Sequence, residues 1–390
     1  SLFMSSILNT YARKPISFKE GKGSYLFAEN GDKYLDFVQG IATNLLGHCH
    51  EHLVKTIQKQ SKKLWHISNN FKIPEQEALA KRLTDNTFAD FVFFCNSGTE
   101  AVEASIKIAR KYFYKIGKLE KNRFITFQGA FHGRTLAALF AANNPKHIEG
   151  FGPRVDGFDQ VPFADHEALK KSINRNTAGI ICEVIQGEGG IRLIPDYCLK
   201  GLRELCDKHD ILLILDEVQT FCRSENMFAF EKSGIIPDIV PIAKGIGGGF
   251  PLGACLVTKK ASIGMTAGTH GSTFGGNPLA MAVGKAVLDV ILEKGFFEKA
   301  KQKGQYFDEG LKKTKEKYPN IIGEIRGVGL IKGLKMLVDN DEFIKKLMNH
   351  KMLAIKASEN VMRLFPPLIV NNNELDEAID KIEKTCKEMS

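Results

Sequence analysis

Ile211-Leu212-Leu213-Ile214-Leu215-Asp216-Glu217-Val218-Gln219 is the stretch on which the fold turns. Its apolar run has no polar alternation, as in a strand buried on both faces, and it stops at a carboxylate. A second stretch of the same build follows: Ile239-Val240-Pro241-Ile242-Ala243-Lys244-Gly245-Ile246-Gly247-Gly248-Gly249, apolar up to a lysine that opens into glycines. Between about residues 50 and 260, further runs at 92–95, 124–127, 179–184 and 254–257 alternate with segments of helical period. Strands of this kind joined by crossover helices predict an α/β domain with a mostly parallel sheet.

After Asn277-Pro278 the texture changes. Lys/Glu-rich helices are expected at 279–294, 297–317 and 374–388 around strands at 329–336 and 361–365, a smaller α+β lobe joined by N-terminal strands near 24–27 and 33–37. The expected division is 1–50 as an N-terminal segment of the small lobe, 51–270 as the large domain and 271–390 as the C-terminal small domain. Ser1-Leu2-Phe3, ahead of Met4, are set aside as an expression remnant.

The chain of 390 residues, 43% hydrophobic and 25% charged, is long enough for two lobes. Eight cysteines are scattered without a Cys-x-x-Cys pair, and no apolar stretch approaches a membrane span, so a reducing, cytoplasmic setting is expected. The net charge of +9 raises the alternative of a nucleic-acid-binding protein. Its most basic stretch, Lys107, Arg110, Lys111, Lys115, Lys118, Lys121 and Arg123, interleaves with Ile106, Ala109, Phe113 and Ile116 at helical spacing, which describes the solvated face of an amphipathic helix. The basic balance also suits a site that steers small dicarboxylates.

A lysine at the end of a buried strand, followed by flexible backbone, is the setting of a Schiff-base lysine. With Asp216 ending a neighbouring run, Lys244 points to a pyridoxal phosphate site: a nearby carboxylate keeps the pyridine nitrogen protonated, and only then is the ring an electron sink. Asn96-Ser97-Gly98-Thr99-Glu100 follows a strand and opens a helix, with Ser97 and Glu100 spaced as a capping box. Gly98 and Thr99 would present first-turn N–H groups and a hydroxyl to a phosphate. In Phe131-His132-Gly133-Arg134-Thr135, Phe131 offers a stacking face and Arg134 a bidentate carboxylate grip. Arg363, flanked by Met362 and Leu364, needs an acidic partner or ligand.

Two lookalikes fail on context. His48-Cys49-His50-Glu51-His52 resembles a metal cluster, but a turn with helix-capping histidines explains it, and no metal is expected. Gly327-Val328-Gly329-Leu330-Ile331-Lys332-Gly333 imitates the dinucleotide fingerprint of a nucleotide-dependent dehydrogenase, yet leads into a strand rather than opening a helix.

Together with Gly40-Ile41-Ala42-Thr43-Asn44-Leu45-Leu46-Gly47-His48, Gln186-Gly187-Glu188-Gly189-Gly190 and His270-Gly271-Ser272-Thr273-Phe274-Gly275-Gly276-Asn277-Pro278, these residues resemble the class III aminotransferases of the fold type I pyridoxal phosphate superfamily, and within them the branch acting on acetylornithine. The likeness runs from about residue 20 to 370. It implies transamination of N2-acetylornithine with 2-oxoglutarate in arginine biosynthesis. Other members of the class, acting on succinylornithine, ornithine, 4-aminobutyrate or succinyl-diaminopimelate, are the alternative.

The resemblance also implies roles. Lys244 would link covalently to the cofactor and then shuttle protons, its pKa lowered by burial. Asp216 would pair with the pyridine nitrogen, Gln219 approach the ring hydroxyl, and Val218 and Phe131 sandwich the ring. Gly98 and Thr99 would hold the phosphate, and Thr273 would reach it from the partner subunit of a homodimer. Arg134 would bind a substrate carboxylate and Ser272 would contact acetylornithine. Arg363 would grip the α-carboxylate of 2-oxoglutarate or glutamate, with Glu188 pairing with it otherwise. Two departures stand out: Glu183-Val184 where the family has Glu-Pro, and Gln219-Thr220-Phe221-Cys222-Arg223-Ser224 where it has a Gly-containing loop one residue longer.

Overall fold

The computed structural model describes residues 5–390, so the stretch Ser1-Leu2-Phe3 set aside above, together with Met4, lies outside the described residues. Its large sheet has seven strands in the order Phe91–Cys95, Gly253–Val257, Ile239–Ile242, Leu212–Leu215, Thr177–Cys182, Arg123–Phe127, Phe158–Val161. Only Gly253–Val257 runs against its neighbours. The mostly parallel sheet expected from the apolar runs is therefore present. Leu212 to Leu215 are buried on both faces of the sheet, each such side chain worth on the order of 2 kcal/mol.

One strand of this sheet, Phe158–Val161, is not among those expected from the sequence. It sits at the sheet edge, and Phe-Asp-Gln-Val has no continuous apolar run to announce it. The helix Gly98–Lys115 turns Ala101, Ala104, Ala109 and Phe113 into the core. Ile116, expected on that stripe, is instead 39% exposed, because the helix has ended and Ile116 is its C-cap. On the charged side, Arg123 pairs with Asp156 at 3.1 Å and Asp159 at 3.0 Å.

The C-terminal third builds an antiparallel sheet in the order Ile322–Val328, Ile331–Met336, Val361–Leu364, Ile355–Ala357, covered by the helices Phe296–Lys317, Asn340–Asn349 and Asn372–Glu388. Gly327 to Gly333 thus form a hairpin, as their lead into a strand predicts. The N-terminal strands Phe18–Lys22, Tyr25–Ala28 and Lys33–Asp36 join this part of the chain through Met352–Leu353, which pairs with Lys33–Asp36 in parallel. The apolar helix Pro278–Ile291 lies against Glu51–Gln60 and Pro74–Asn86. His50 caps Glu51–Gln60, its Nδ1 accepting from the His52 N–H at 3.2 Å. Among the described residues, no helix is long and apolar enough to cross a membrane.

Candidate active site

Parallel strands deliver whatever follows them to one edge, where open α/β sheets bind ligands. Here that edge receives Asn96 and Ser97 after Cys95, Glu183 after Cys182, Asp216 after Leu215, and Ala243-Lys244 after Ile242. Asp216 is buried, and its backbone is fixed by an N–H bond to the Cys182 carbonyl at 2.8 Å. One carboxylate oxygen accepts from the Val218 N–H at 3.0 Å, while the other lies 2.8 Å from Nδ1 of buried His132. A carboxylate only accepts, so the imidazole places its Nδ1 proton there. Burial alone would depress the His132 pKa, but the hydrogen bond and charge of Asp216, helped by Glu183, leave it raised. Its Nε2 has no partner among the described residues.

Lys244 opens a short 3-10 turn, Lys244–Gly247, with φ at +49°, a left-handed conformation that a lysine adopts only where its surroundings impose it. Burial, with the Arg363 charge adding, pushes its ammonium down to about 8; Glu188, Asp216 and Glu183 act against the shift. An amine so placed is neutral, hence nucleophilic and basic, to a far greater extent near neutrality than an ordinary lysine. Burial likewise pushes Glu183 up to about 8 and Glu217 up to about 7, so both hold a proton more readily than a solvated carboxylate.

Arg363, 1% exposed, finds the acidic partner its strand position required. Its Nη2 donates to Glu188 Oε1 at 3.0 Å and to the Lys356 carbonyl at 2.9 Å, and its Nη1 donates to Gln219 Oε1 at 3.2 Å. Gln219, expected at a ring hydroxyl, here turns its carbonyl oxygen to Arg363.

Ser97 caps the helix Gly98–Lys115: its hydroxyl accepts from the Glu100 N–H at 3.3 Å and donates to the Glu100 carboxylate at 2.5 Å. Beyond it, the N–H groups of Gly98 and Thr99 have no intrahelical acceptor. Gly98 is held against Val218, where a Cβ would lie 2.6 Å from Val218 Cγ1. The Thr99 hydroxyl is 2.6 Å from that of Thr135 and accepts from the Thr135 N–H at 3.2 Å. Arg134 is exposed, its guanidinium carbon 5.6 Å from the Phe131 ring centre.

Ser272 and Thr273 are not gathered with Lys244 in the same way. The Ser272 hydroxyl is tied to its own loop and to Asn96, accepting from the Gly275 N–H at 2.9 Å and from Asn96 Nδ2 at 3.3 Å. Thr273 is exposed on the wall of a recess of about 840 Å³ shared with His66, Asn69 and Gln76.

This donor set fits pyridoxal phosphate. A buried carboxylate braced by His132 suits a protonated ring nitrogen, an amine with lowered pKa suits an aldehyde, and unengaged first-turn N–H groups suit a phosphate. Sequence reasoning gave no role to His132 or Glu183. No local spacing marks a residue 84 positions away from Asp216, and only the rule that buried carboxylates are hydrogen-bonded would have prompted a search for one.

Residues 8–386 match the family model of the class-III aminotransferases. An acetylornithine aminotransferase from Agrobacterium fabrum is 53% identical over 385 residues, covering 98% of this chain and 96% of that protein. Among solved structures, the N-acetylornithine aminotransferase from Stenotrophomonas maltophilia superposes with a TM-score of 0.85 at 31% identity, covering 97% of each chain. An ornithine aminotransferase from Toxoplasma gondii, described with partial occupancy of PLP at its active site, gives 0.93 at 30% identity, covering 98% of this chain and 92% of that one.

Proposed function

The chain belongs to the class-III aminotransferases, and from that premise we propose that it moves the terminal amino group of N2-acetylornithine to 2-oxoglutarate, giving N-acetylglutamate 5-semialdehyde and glutamate in arginine biosynthesis. It is a pyridoxal phosphate-dependent enzyme. The observation that carries the substrate pair is the ion pair of Arg363 and Glu188 at 3.0 Å. A buried guanidinium covered by a carboxylate that is itself partly open to solvent suits a site that alternates between an amine with no carboxylate near the reacting carbon and a keto acid that has one.

Pyridoxal phosphate, when bound, supplies a sink for the electron pair left as a proton leaves the substrate carbon. Asp216 would hold the proton on the ring nitrogen, with His132 fixing the carboxylate. Gly98 and Thr99 would hold the phosphate, with Thr273 reaching across from a partner subunit, and Val218 and Phe131 would flank the ring. Lys244, neutral when released, would take the proton from the substrate carbon and return it one position along. Arg134 would hold the carboxylate of acetylornithine, Ser272 would contact its acetyl end, and Gln219 would serve Arg363 and the ring hydroxyl in turn.

A homodimer belongs to the same reading. It is supported by the 65% exposed Trp65 and by exposed Phe71 and Phe274, which are chain neighbours of His66, Asn70 and Thr273 on the wall of the recess. The division into 1–50 with 271–390 around 51–270, and a cytoplasmic location, which suits eight free thiols, complete the reading.

In single-turnover assays that follow loss of the lysine-linked cofactor absorption, N2-acetylornithine is expected to react faster than ornithine, succinylornithine or 4-aminobutyrate. A faster reaction with 4-aminobutyrate would refute the substrate assignment. Arg363→Ala is expected to slow the 2-oxoglutarate half-reaction by about two orders of magnitude and the amine half-reaction by less than about threefold. Equal losses would contradict the division of labour between Arg134 and Arg363.

A further inference from the structure

Arg223, on the turn after Gln219, is 1% exposed. Among the described residues it has no acidic partner within ion-pair distance, which is a costly state for a guanidinium. Burial pushes its pKa down to about 9, against small opposing effects of Cys222 and Asp36. Its Nη1 donates to the carbonyls of Leu330 at 3.0 Å and Pro366 at 2.7 Å, while Nε and Nη2 have no partner. Its guanidinium carbon lies 5.5 Å from the centre of the Phe365 ring. The guanidinium carbon of Arg363 lies 5.7 Å from the centre of that same ring.

Phe365 is fully buried, and its N–H is tied to the Phe37 carbonyl at 2.7 Å. The ring is therefore a shared support for two cations. Stapling Leu330 to Pro366 would need only a neutral donor. A cation there additionally holds the ring by its face, and the ring holds Arg363.

We propose that Arg223 is a positioning residue for Arg363, keeping the substrate-gripping guanidinium in place while Glu188 is displaced by an incoming dicarboxylate. The proposal rests on the reading of Arg363 as the carboxylate grip. With Glu188 gone, Arg363 keeps the Lys356 carbonyl, Gln219 and the Phe365 ring. Two of these three lead back to Arg223. Phe365 does so directly, and Gln219 through the tight turn in which the Arg223 N–H donates to the Thr220 carbonyl at 2.9 Å.

The test is calorimetric titration of the holoenzyme with glutarate, a dicarboxylate that cannot react, alongside the N2-acetylornithine half-reaction. Arg223→Met is expected to weaken glutarate binding about tenfold and to change the amine half-reaction by less than about twofold, with Arg223→Lys falling between. If the methionine variant does not fold, Phe365→Leu, which spares the bonds to Leu330 and Pro366, is expected to show the same split. Unchanged glutarate affinity in a folded variant, even with a lower Tm, overturns the proposal, as do equal losses in both measurements. Arg363→Ala separates the two failures. If that variant binds glutarate normally, the reading of Arg363 is wrong; if it loses glutarate while Arg223→Met and Phe365→Leu keep it, only the positioning role falls.

Discussion

Replacing Lys244 by alanine is expected to lower transamination by about four orders of magnitude or more, because one side chain is assigned both the covalent hold on the cofactor and the proton transfer. The visible absorption of the lysine-linked cofactor should vanish with it. A small primary amine added to the assay should restore part of the rate, since alanine leaves room where the amine stood. A pH series on the apoproteins separates this from loss of fold. The folded-state pKa of Lys244, about 8, lies below its ordinary value of 10.5. Between those values the unfolded chain binds a proton that the folded apoprotein gives up, so apoprotein stability should rise with pH across that window. Lys244→Ala should lack this rise and be no less stable than the parent at neutral pH. Urea unfolding of both apoproteins at pH 7 and pH 9.5 checks it; a variant clearly less stable at pH 7 would count against a strained, desolvated lysine.

Asp216→Asn is expected to cost about two to three orders of magnitude in both half-reactions alike. The amide has nearly the shape of the carboxylate, and its one oxygen can keep the buried 2.8 Å hydrogen bond from His132 Nδ1, at the cost of the bond from the Val218 N–H, which then faces the amide NH2. What is lost is the negative charge that would keep a proton on the ring nitrogen, and both half-reactions draw on the same electron sink. The equality separates this residue from Arg363, whose loss should fall on one half only. Loss of the Asp216 charge also removes the main support for the raised His132 pKa, leaving burial to push it down. Imidazole titration followed by NMR should report that drop, and an unchanged His132 would mean that Asp216 is not its electrostatic partner.

The strand ends were legible because a buried parallel strand writes itself as a short continuous apolar run, and what terminates the run is delivered to the carboxyl edge. Asp216 and Lys244 were found that way, and the capped helix after Ser97 by its local spacing. Arg363 announced a missing acid by standing in an apolar strand, although nothing local named Glu188, which lies 175 residues away. His132 and Thr135 stayed silent for the same reason: hydrogen bonds across crossover connections have no sequence period. The strand Phe158–Val161 was missed because Phe-Asp-Gln-Val has two adjacent polar residues where a buried strand would run apolar, and Ile116 was misplaced because the helical period continues past the point where the helix stops. The orientation of Gln219 toward Arg363 depends on the course of the turn that follows it, which no sequence period announces.

The holoenzyme is treated with borohydride before and after addition of N2-acetylornithine without 2-oxoglutarate, then digested and mapped by mass spectrometry. The cofactor mass is expected on the peptide carrying Lys244 in the first sample, and is expected to disappear from that peptide in the second, because the amine releases the lysine. Label on any other lysine, or undiminished label on Lys244 after acetylornithine, would contradict it.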